Sequence, residues 1–380
     1  MSEIRTTHTG SLPRPPELIK LLLDRERGEP TPEIEASIDA AVADIVRRQA
    51  AAGIDIVDDG EMGKIGFAMY IKDRLSGFHG TTQWVGRRRP EMEDHPDFAE
   101  RFAATLNPAV LSLPACDGDI AMKSLDDVRA DVARLKAAAE TAGVGQDRLF
   151  MTAPSPGVIS HFFGNVHYKS RRDYLVALGD AMRAEYEVVA KAGITLQVDC
   201  PDLAMSRHSV FADLSVEEFR REAALNVEVL NQALTNIPAD RLRMHICWGN
   251  YEGPHNHDVE LKDIIDIVLS AKPAGIALEA SNPRHGHEWQ VFEDVQLPDG
   301  KYLIPGVVDS TNNYVEHPQL VAQRLMNYAR VVGTDRVMGG SDCGFGTVAT
   351  MAMVAPSVVW SKLESLAEGA RLASRQLAGV

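Results

Sequence analysis

A histidine and two cysteines have the residue types and spacing of metal ligands. His245 and Cys247 are two residues apart in an apolar stretch that predicts a strand, so their side chains point to the same side. Cys343 follows another predicted strand far downstream. Zinc binds Cys sulfur and His nitrogen, and a catalytic zinc site keeps one position for substrate. These residues therefore predict a Zn²⁺ site; the competing interpretation is a buried histidine with two inert core cysteines.

A fourth ligand and a chemistry follow from the same pattern. Glu279 ends a predicted strand between the two sulfur ligands and could fill the fourth position until a substrate arrives. A thiol bound to such a metal loses its proton at neutral pH. Because two thiolates already neutralise the metal, the incoming sulfur would stay nucleophilic. The pattern therefore predicts an enzyme that binds and activates the thiol of a small molecule.

Two carboxylates form a second candidate site. Glu61 and Asp199 each end a predicted strand, and together they could hold a substrate ammonium group or act as acid and base. The alternative is that they cap the helices that follow. Gly10 and Ser11 could offer backbone N–H groups to an anion, or could simply form a turn. Asp309 ends another predicted strand.

The elements that must position these residues alternate between helix and short apolar strand. Such alternation predicts a parallel sheet, and eight units predict a closed (β/α)8 barrel in the α/β class, with a doubly wound open sheet as the alternative. In a barrel the carboxyl ends of the strands carry the catalytic groups. The eight predicted strands are Arg5–Thr9, Ile54–Asp58, Leu149–Ala153, Ile194–Asp199, Leu242–Cys247, Gly275–Glu279, Leu303–Val308 and Arg336–Gly340.

Residues 62–125 interrupt this alternation. They predict an insertion after the second strand of a single domain that spans residues 1–380, and this insertion either covers the barrel mouth or extends into solvent. The basic triplet at residues 87–89 is too short to indicate nucleic-acid binding. The segment Asn282–Trp289 is interpreted as a loop over the pocket in which His285 and His287 are exposed.

Composition narrows the class of protein. Apolar residues make up 45% and charged residues 24% of the 380 residues, as in a globular domain. A net charge of −15 argues against nucleic acid and anionic membranes as partners. No apolar stretch approaches the length of a membrane span, and the amino terminus lacks a signal-peptide core. Four cysteines are no disulfide framework, so we expect a cytoplasmic protein. The oligomeric state, including a homo-oligomer, stays open.

The same residues resemble the cobalamin-independent methionine synthase family, specifically its catalytic carboxy-terminal barrel and its stand-alone relatives. The ordered His-x-Cys, Glu and Cys set is specific to that family, and only the insertion lies outside the match. The matching segments are Thr6–Arg14, Asp59–Glu61, Gln197–Asp199, Met244–Cys247, Leu278–Glu279, Pro305–Asp309 and Asp342–Cys343.

The resemblance implies a TIM barrel in which a zinc-activated thiol attacks an electrophilic carbon. By position, His245, Cys247, Glu279 and Cys343 are similar to the family's zinc ligands. Ser11, Glu61 and Asp199 are similar to its homocysteine site, in which the carboxylates grip the amino group. Asp309 is similar to a carboxylate beside the reaction centre. The implied reaction is methyl transfer to homocysteine from a donor such as 5-methyltetrahydrofolate.

Two departures leave the alkyl donor open. The family's histidine two residues after the Asp309 position is Thr311 here, and Pro154–Gly157 has no counterpart of the folate-stacking tryptophan. A related group, the epoxyalkane:coenzyme M transferases, opens an epoxide with a zinc-bound thiolate. That function would need donors for a sulfonate, for which Arg14, Arg284 and His285 are candidates. A non-catalytic zinc-binding barrel and a decarboxylase akin to the uroporphyrinogen enzyme are further alternatives.

Overall fold

A curved sheet of six parallel strands forms the centre of the molecule. The structure is a computed structural model that describes residues 3–81, 89–104 and 113–379. In the sheet each strand pairs with the next one along the chain, as expected when helices connect parallel strands. The described strands are β1 (Phe78–Thr81) and β2 (Pro114–Cys116), which form a separate antiparallel pair, and then β3 (Phe150–Pro154), β4 (Thr195–Asp199), β5 (Leu242–His245), β6 (Gly275–Glu279), β7 (Tyr302–Val308) and β8 (Gly340–Ser341).

Two further extended segments close this sheet into a barrel. Thr6 forms a parallel bridge with Gly339, next to β8, and its carbonyl accepts a hydrogen bond of 3.0 Å from the amide of Ile56. Val57 in turn forms a parallel bridge with Leu149, next to β3. These segments therefore stand between β8 and β3, and the predicted (β/α)8 barrel is confirmed.

The two closing segments are less regular than the predicted strands Arg5–Thr9 and Ile54–Asp58. The carboxylate of Asp55 accepts hydrogen bonds from the amide and the hydroxyl of Thr6, at 2.9 and 3.0 Å. The amide of Thr6 therefore donates to this side chain and not to the backbone of a neighbouring strand. Local side-chain bonding of this kind competes with sheet pairing.

Amphipathic helices cover the outside of the barrel. Ser215 caps one of them with a capping box that includes Glu218, which fixes where that helix begins. In the helix that begins at Pro318, Val321, Leu325 and Tyr328 lie at helical spacing and are buried. The described helices are Pro16–Glu26, Ile34–Ala51, Ile71–Arg74, Pro90–Asp94, Pro96–Ala103, Asp126–Ala142, Pro156–Phe162, Arg171–Lys191, Val216–Ala233, Leu261–Leu269, Val291–Asp294, Pro318–Val332 and Pro356–Leu377. Across the described ranges, none of the helices has the length and apolarity that a membrane span requires.

The segment 62–125 contains the β1–β2 pair and three short helices in its described part. It packs against the loop that follows β5: the hydroxyl of Tyr251 donates to the carboxylate of Glu91, and the Tyr251 ring lies 5.5 Å from that of Phe102. Arg87 and Arg88 of the basic triplet lie outside the described residues. The described part of the segment thus reaches the carboxyl ends of the barrel strands.

Candidate metal and substrate site

Three predicted ligands meet at the carboxyl end of the barrel. His245 ends β5, Cys247 follows it by two residues, and Cys343 follows β8 from across the barrel. One ligand atom of each lies within 4.8 Å of the others, and the two sulfurs are 3.7 Å apart. All three side chains are buried. Strand alternation and barrel closure therefore bring together residues that are 96 positions apart in the chain.

The hydrogen bonding of His245 fits a metal ligand. Both of its ring nitrogens are buried and have no hydrogen-bond partner among the described residues. Buried polar atoms are rarely left unbonded, so these nitrogens require an explanation. Burial, helped by the charge of Arg243, lowers the pKa of His245 to about 3. The ring is therefore neutral at pH 7, which is the form that ligates a metal.

The paired sulfurs point to the same conclusion. The hydrogen bond with Cys343, together with burial, raises the pKa of the Cys247 thiol well above its ordinary value. Two adjacent thiols resist ionisation unless a cation offsets their charge. A divalent ion would supply that charge, and zinc accepts a His-Cys-Cys set with one position left open. His245, Cys247 and Cys343 can therefore hold a metal ion.

Glu279, the predicted fourth ligand, lies beside this group but is held by other donors. The amide of Trp248 and the side-chain amide of Asn282 each donate to its carboxylate at 2.8 Å. Its oxygens are not among the atoms that lie within 4.8 Å of one another. Burial first, and then neighbouring Cys247, raise the pKa of Glu279 well above its ordinary value. A ligand role for Glu279 stays a prediction.

The two predicted carboxylates face the same cavity as the metal ligands. This cavity has a volume of about 160 Å³. Its walls include Glu61, Asp199 and Ser11. Asp199 pairs with His245 in the register of β4 and β5, which sets it beside the metal ligands. Burial and the charge of Glu61 raise the pKa of Asp199 to about 8.

Glu61 is held in an unusual backbone conformation. Its φ of 57° lies in the left-handed region, which non-glycine residues adopt at a cost. Arg14 stabilises this turn by donating to the Glu61 carbonyl at 2.8 Å. One carboxylate oxygen accepts from the hydroxyl of Thr152 at 2.7 Å, and the other is buried with no hydrogen-bond partner in the described chain. That second oxygen can accept a donor from a ligand.

Gly10 contributes by its lack of a side chain. At its φ of 142°, an added Cβ would lie 2.6 Å from a methyl carbon of Thr152 and 3.3 Å from the Glu61 carboxylate. Its amide donates to the His8 ring at 3.2 Å, so this N–H is already used within the protein. Gly10 therefore makes room for Glu61, and of the predicted pair Ser11 alone lines the cavity.

Asp309 lies in an adjoining cavity of about 420 Å³. Both the amide and the hydroxyl of Thr311 donate to one of its oxygens at 2.7 Å. Glu279 also lines this second cavity, and Cys343 lines both cavities, so the two cavities meet at that sulfur ligand. The structure thus separates Asp309 from the Glu61 and Asp199 pair.

Several side chains of the site carry no clear sequence signal. Lys64 is buried and donates to the carbonyl and hydroxyl of Thr152, at 2.8 and 3.2 Å, which orients the partner of Glu61. His285, predicted to be exposed, is buried and bonds Asp258 and Glu288, each at 2.9 Å. That prediction was wrong because Asp258, which bonds His285, comes from a different loop, the one after β5. The cavity also has an apolar wall, formed by Phe67, Met69, Phe162, Met205, Val348 and Met351.

The chain is similar in sequence to proteins of one known family. The sequence profile described as "Cobalamin-independent synthase, Catalytic domain" matches residues 162–359. The chain is 25% identical over 378 residues to the methionine synthase of Thermococcus kodakarensis, which covers 98% of this chain and 94% of that protein. The methionine synthase of Saccharolobus solfataricus is 23% identical, with 98% and 95% covered.

Solved structures show the same fold. A B12-independent methionine synthase from Shewanella sp. W3-18-1, in complex with selenomethionine, superposes with a TM-score of 0.72 at 18% identity, over the whole of both chains. A putative B12-independent methionine synthase from Listeria monocytogenes gives 0.65 at 17% identity, over 97% of this chain and 98% of that one. Because the sequence profile covers more than half of the chain, the resemblance is confirmed, and the chain belongs to the family of cobalamin-independent synthase catalytic domains.

Proposed function

We propose that this chain is a zinc-dependent methyltransferase that transfers a methyl group to the thiol of homocysteine. The observation that carries the proposal is that a His-Cys-Cys set and a pair of buried carboxylates face one small cavity. A bound zinc ion would keep the substrate sulfur deprotonated and nucleophilic at neutral pH. His245, Cys247 and Cys343 would hold that ion.

The carboxylates Glu61 and Asp199 would bind the ammonium group of the substrate. Without a ligand, burial first and then repulsion by the charge of Glu61 raise the pKa of Asp199 to about 8. An ammonium group between them would replace this repulsion with two charge-assisted hydrogen bonds. The hydroxyl of Thr152 bonds only one oxygen of Glu61, so the other oxygen can bond the ammonium group. Ser11, on the same wall, would lie near the substrate carboxylate.

The size of the cavity suits an amino-acid thiol. Its volume of about 160 Å³ is comparable with that of an engineered cavity that binds benzene. The names of the relatives support methyl transfer, since those that match 98% of the chain are methionine synthases. The identity of the methyl donor stays open, although 5-methyltetrahydrofolate is the first candidate. It stays open because the hydroxyl of Thr311 donates to Asp309 and is therefore already used within the protein.

The alternative function, opening of an epoxide by coenzyme M, would need cations that grip a sulfonate. The Arg14 guanidinium donates to the carbonyls of Glu61 and Gly346, and both ring nitrogens of His285 contact carboxylates. Of the three candidates, this leaves Arg284, which lines the adjoining cavity. The cavity with the carboxylate pair therefore favours an ammonium-bearing thiol.

Metal analysis with X-ray absorption tests the proposal. The purified protein should contain about one zinc ion, and saturating homocysteine should add one sulfur neighbour to it, whereas coenzyme M should not. Cys343→Ser should lose zinc and activity together, while Cys116→Ser, at a buried cysteine outside the site, should keep both. A Cys343→Ser protein with full zinc content would refute the ligand assignment. Tightly bound zinc that admits no thiol would instead favour a non-catalytic zinc-binding barrel.

A further inference from the structure

Three histidines surround one buried carboxylate next to the candidate site. Asp258 lies in the loop after β5, and its side chain is 1% exposed. His208, His255 and His285 each place a ring nitrogen 2.9 Å from one of its oxygens. Burial alone would raise the pKa of Asp258, but the three imidazoles lower it well below the ordinary value. Asp258 is therefore a fixed negative charge among the three rings.

His208 differs from the other two histidines in what its second nitrogen does. In His255 that nitrogen lies 3.1 Å from the carbonyl of Tyr251, and in His285 it lies 2.9 Å from the carboxylate of Glu288. No group in the described part of the chain bonds Nε2 of His208. His208 lines the cavity that also contains the two sulfur ligands. Its Nδ1 lies beside Asp258, at ion-pair distance although off the line of an ideal hydrogen bond.

We propose that His208 is a catalytic residue that gives a proton to the atom from which the alkyl group departs. This inference rests on the proposed function but not on the identity of the donor. The thiolate sulfur forms the new S–C bond with its lone pair, and the C–X bond breaks with its electron pair on X. Nε2 of His208 gives its proton to X, and the ring regains one from solvent. Overall, RSH and CH₃–X give RSCH₃ and HX.

The need for such a proton follows from the leaving atom. An amine nitrogen or an alkoxide oxygen leaves slowly unless it is protonated as the bond breaks, and a positioned acid accelerates this step by about 10²- to 10⁴-fold. The carboxylate of Asp258, 2.9 Å from Nδ1 of His208, is placed to orient the ring and to offset positive charge on it, as in the His–Asp pairs of other enzymes. Two other histidines line the cavity: His245 is a proposed ligand, and His161 bonds the hydroxyl of Ser206 at 2.8 Å. His208 therefore combines a carboxylate partner with a face toward the reacting atoms.

The test compares leaving groups. In His208→Asn the amide can still reach Asp258, but the acid is lost. Homocysteine alkylation should fall about 10²- to 10⁴-fold with 5-methyltetrahydrofolate or epoxypropane, whichever the wild type uses. With iodomethane, whose iodide leaves without a proton, the rate should change less than about threefold. His161→Asn is the matched control, and it should not discriminate between the two donors.

Equal losses with both donors, or no loss with either, would overturn the role of His208. A wild-type protein that does not accelerate alkylation even with iodomethane would instead refute the proposed function.

Discussion

The change Glu61→Gln tests the carboxylate pair most directly. The variant keeps the size of the side chain, and the amide oxygen can still accept from Thr152, but the negative charge toward the cavity is lost. A hydrogen bond to a charged group contributes about 1.5–3 kcal/mol. Homocysteine should therefore bind about 10- to 150-fold more weakly, since 1.4 kcal/mol corresponds to a factor of ten. Zinc content should not change, because Glu61 is not one of the proposed ligands.

Isothermal titration of the zinc-loaded proteins with two thiols measures this effect. The second thiol, 4-mercaptobutyrate, is homocysteine without its amino group, and it should bind Glu61→Gln at least as tightly as it binds the wild type. This difference isolates the contact between carboxylate and ammonium from any general damage to the cavity. If both thiols lose affinity equally, or if homocysteine binds both proteins alike, the reasoning about the pair is wrong.

Two further changes probe the scaffold. Gly10→Ala should lower the free energy of unfolding, measured by urea titration, by about 1–3 kcal/mol more than Gly28→Ala does. Both glycines have positive φ, but an added Cβ would meet Thr152 at Gly10 and open space at Gly28. The pKa of His285 is raised to about 10, because its bonds to Asp258 and Glu288 outweigh the effect of burial. The contribution of His285 to the stability of the fold is therefore complete below pH 6.5 and is lost as the pH rises through 10. The difference in free energy of unfolding between the wild type and His285→Gln should therefore decrease from pH 6.5 to pH 10, by at most about 5 kcal/mol at 1.36 kcal/mol per pKa unit. A difference that does not change with pH would contradict this prediction.

The residues at the strand ends were predictable from the sequence because two simple periodicities position them. The period of two along a strand sets His245 and Cys247 on the same side. The βα alternation predicts that all strand ends meet at one face of the barrel, and there the structure brings Cys343, Glu61 and Asp199 together with them. Neither inference requires knowledge of how the loops fold.

The loops could not be predicted in this way. The burial of His285 depends in part on Asp258, which lies 27 positions earlier in the chain and forms no periodic pattern with it. Asp309 lies in a separate cavity because of the way the barrel closes, which determines the strand ends that line the same cavity. Similarly, the contact of Lys64 with Thr152 joins residues 88 positions apart. Such contacts are fixed by tertiary packing, and local sequence carries little information about them.

The apolar wall of the cavity bears on why the site would transfer an alkyl group. Phe67, Phe162 and Met205 line the same cavity as the sulfur ligands. A thiolate in a cavity that excludes water keeps its lone pair available, since no hydration shell must be removed before it attacks carbon. A methyl group is itself apolar, so the same wall can hold it against the sulfur without leaving a polar group unbonded. An apolar wall would therefore favour attack on carbon, while Glu61, Asp199 and the proposed acid His208 would orient the substrate and serve the departing atom.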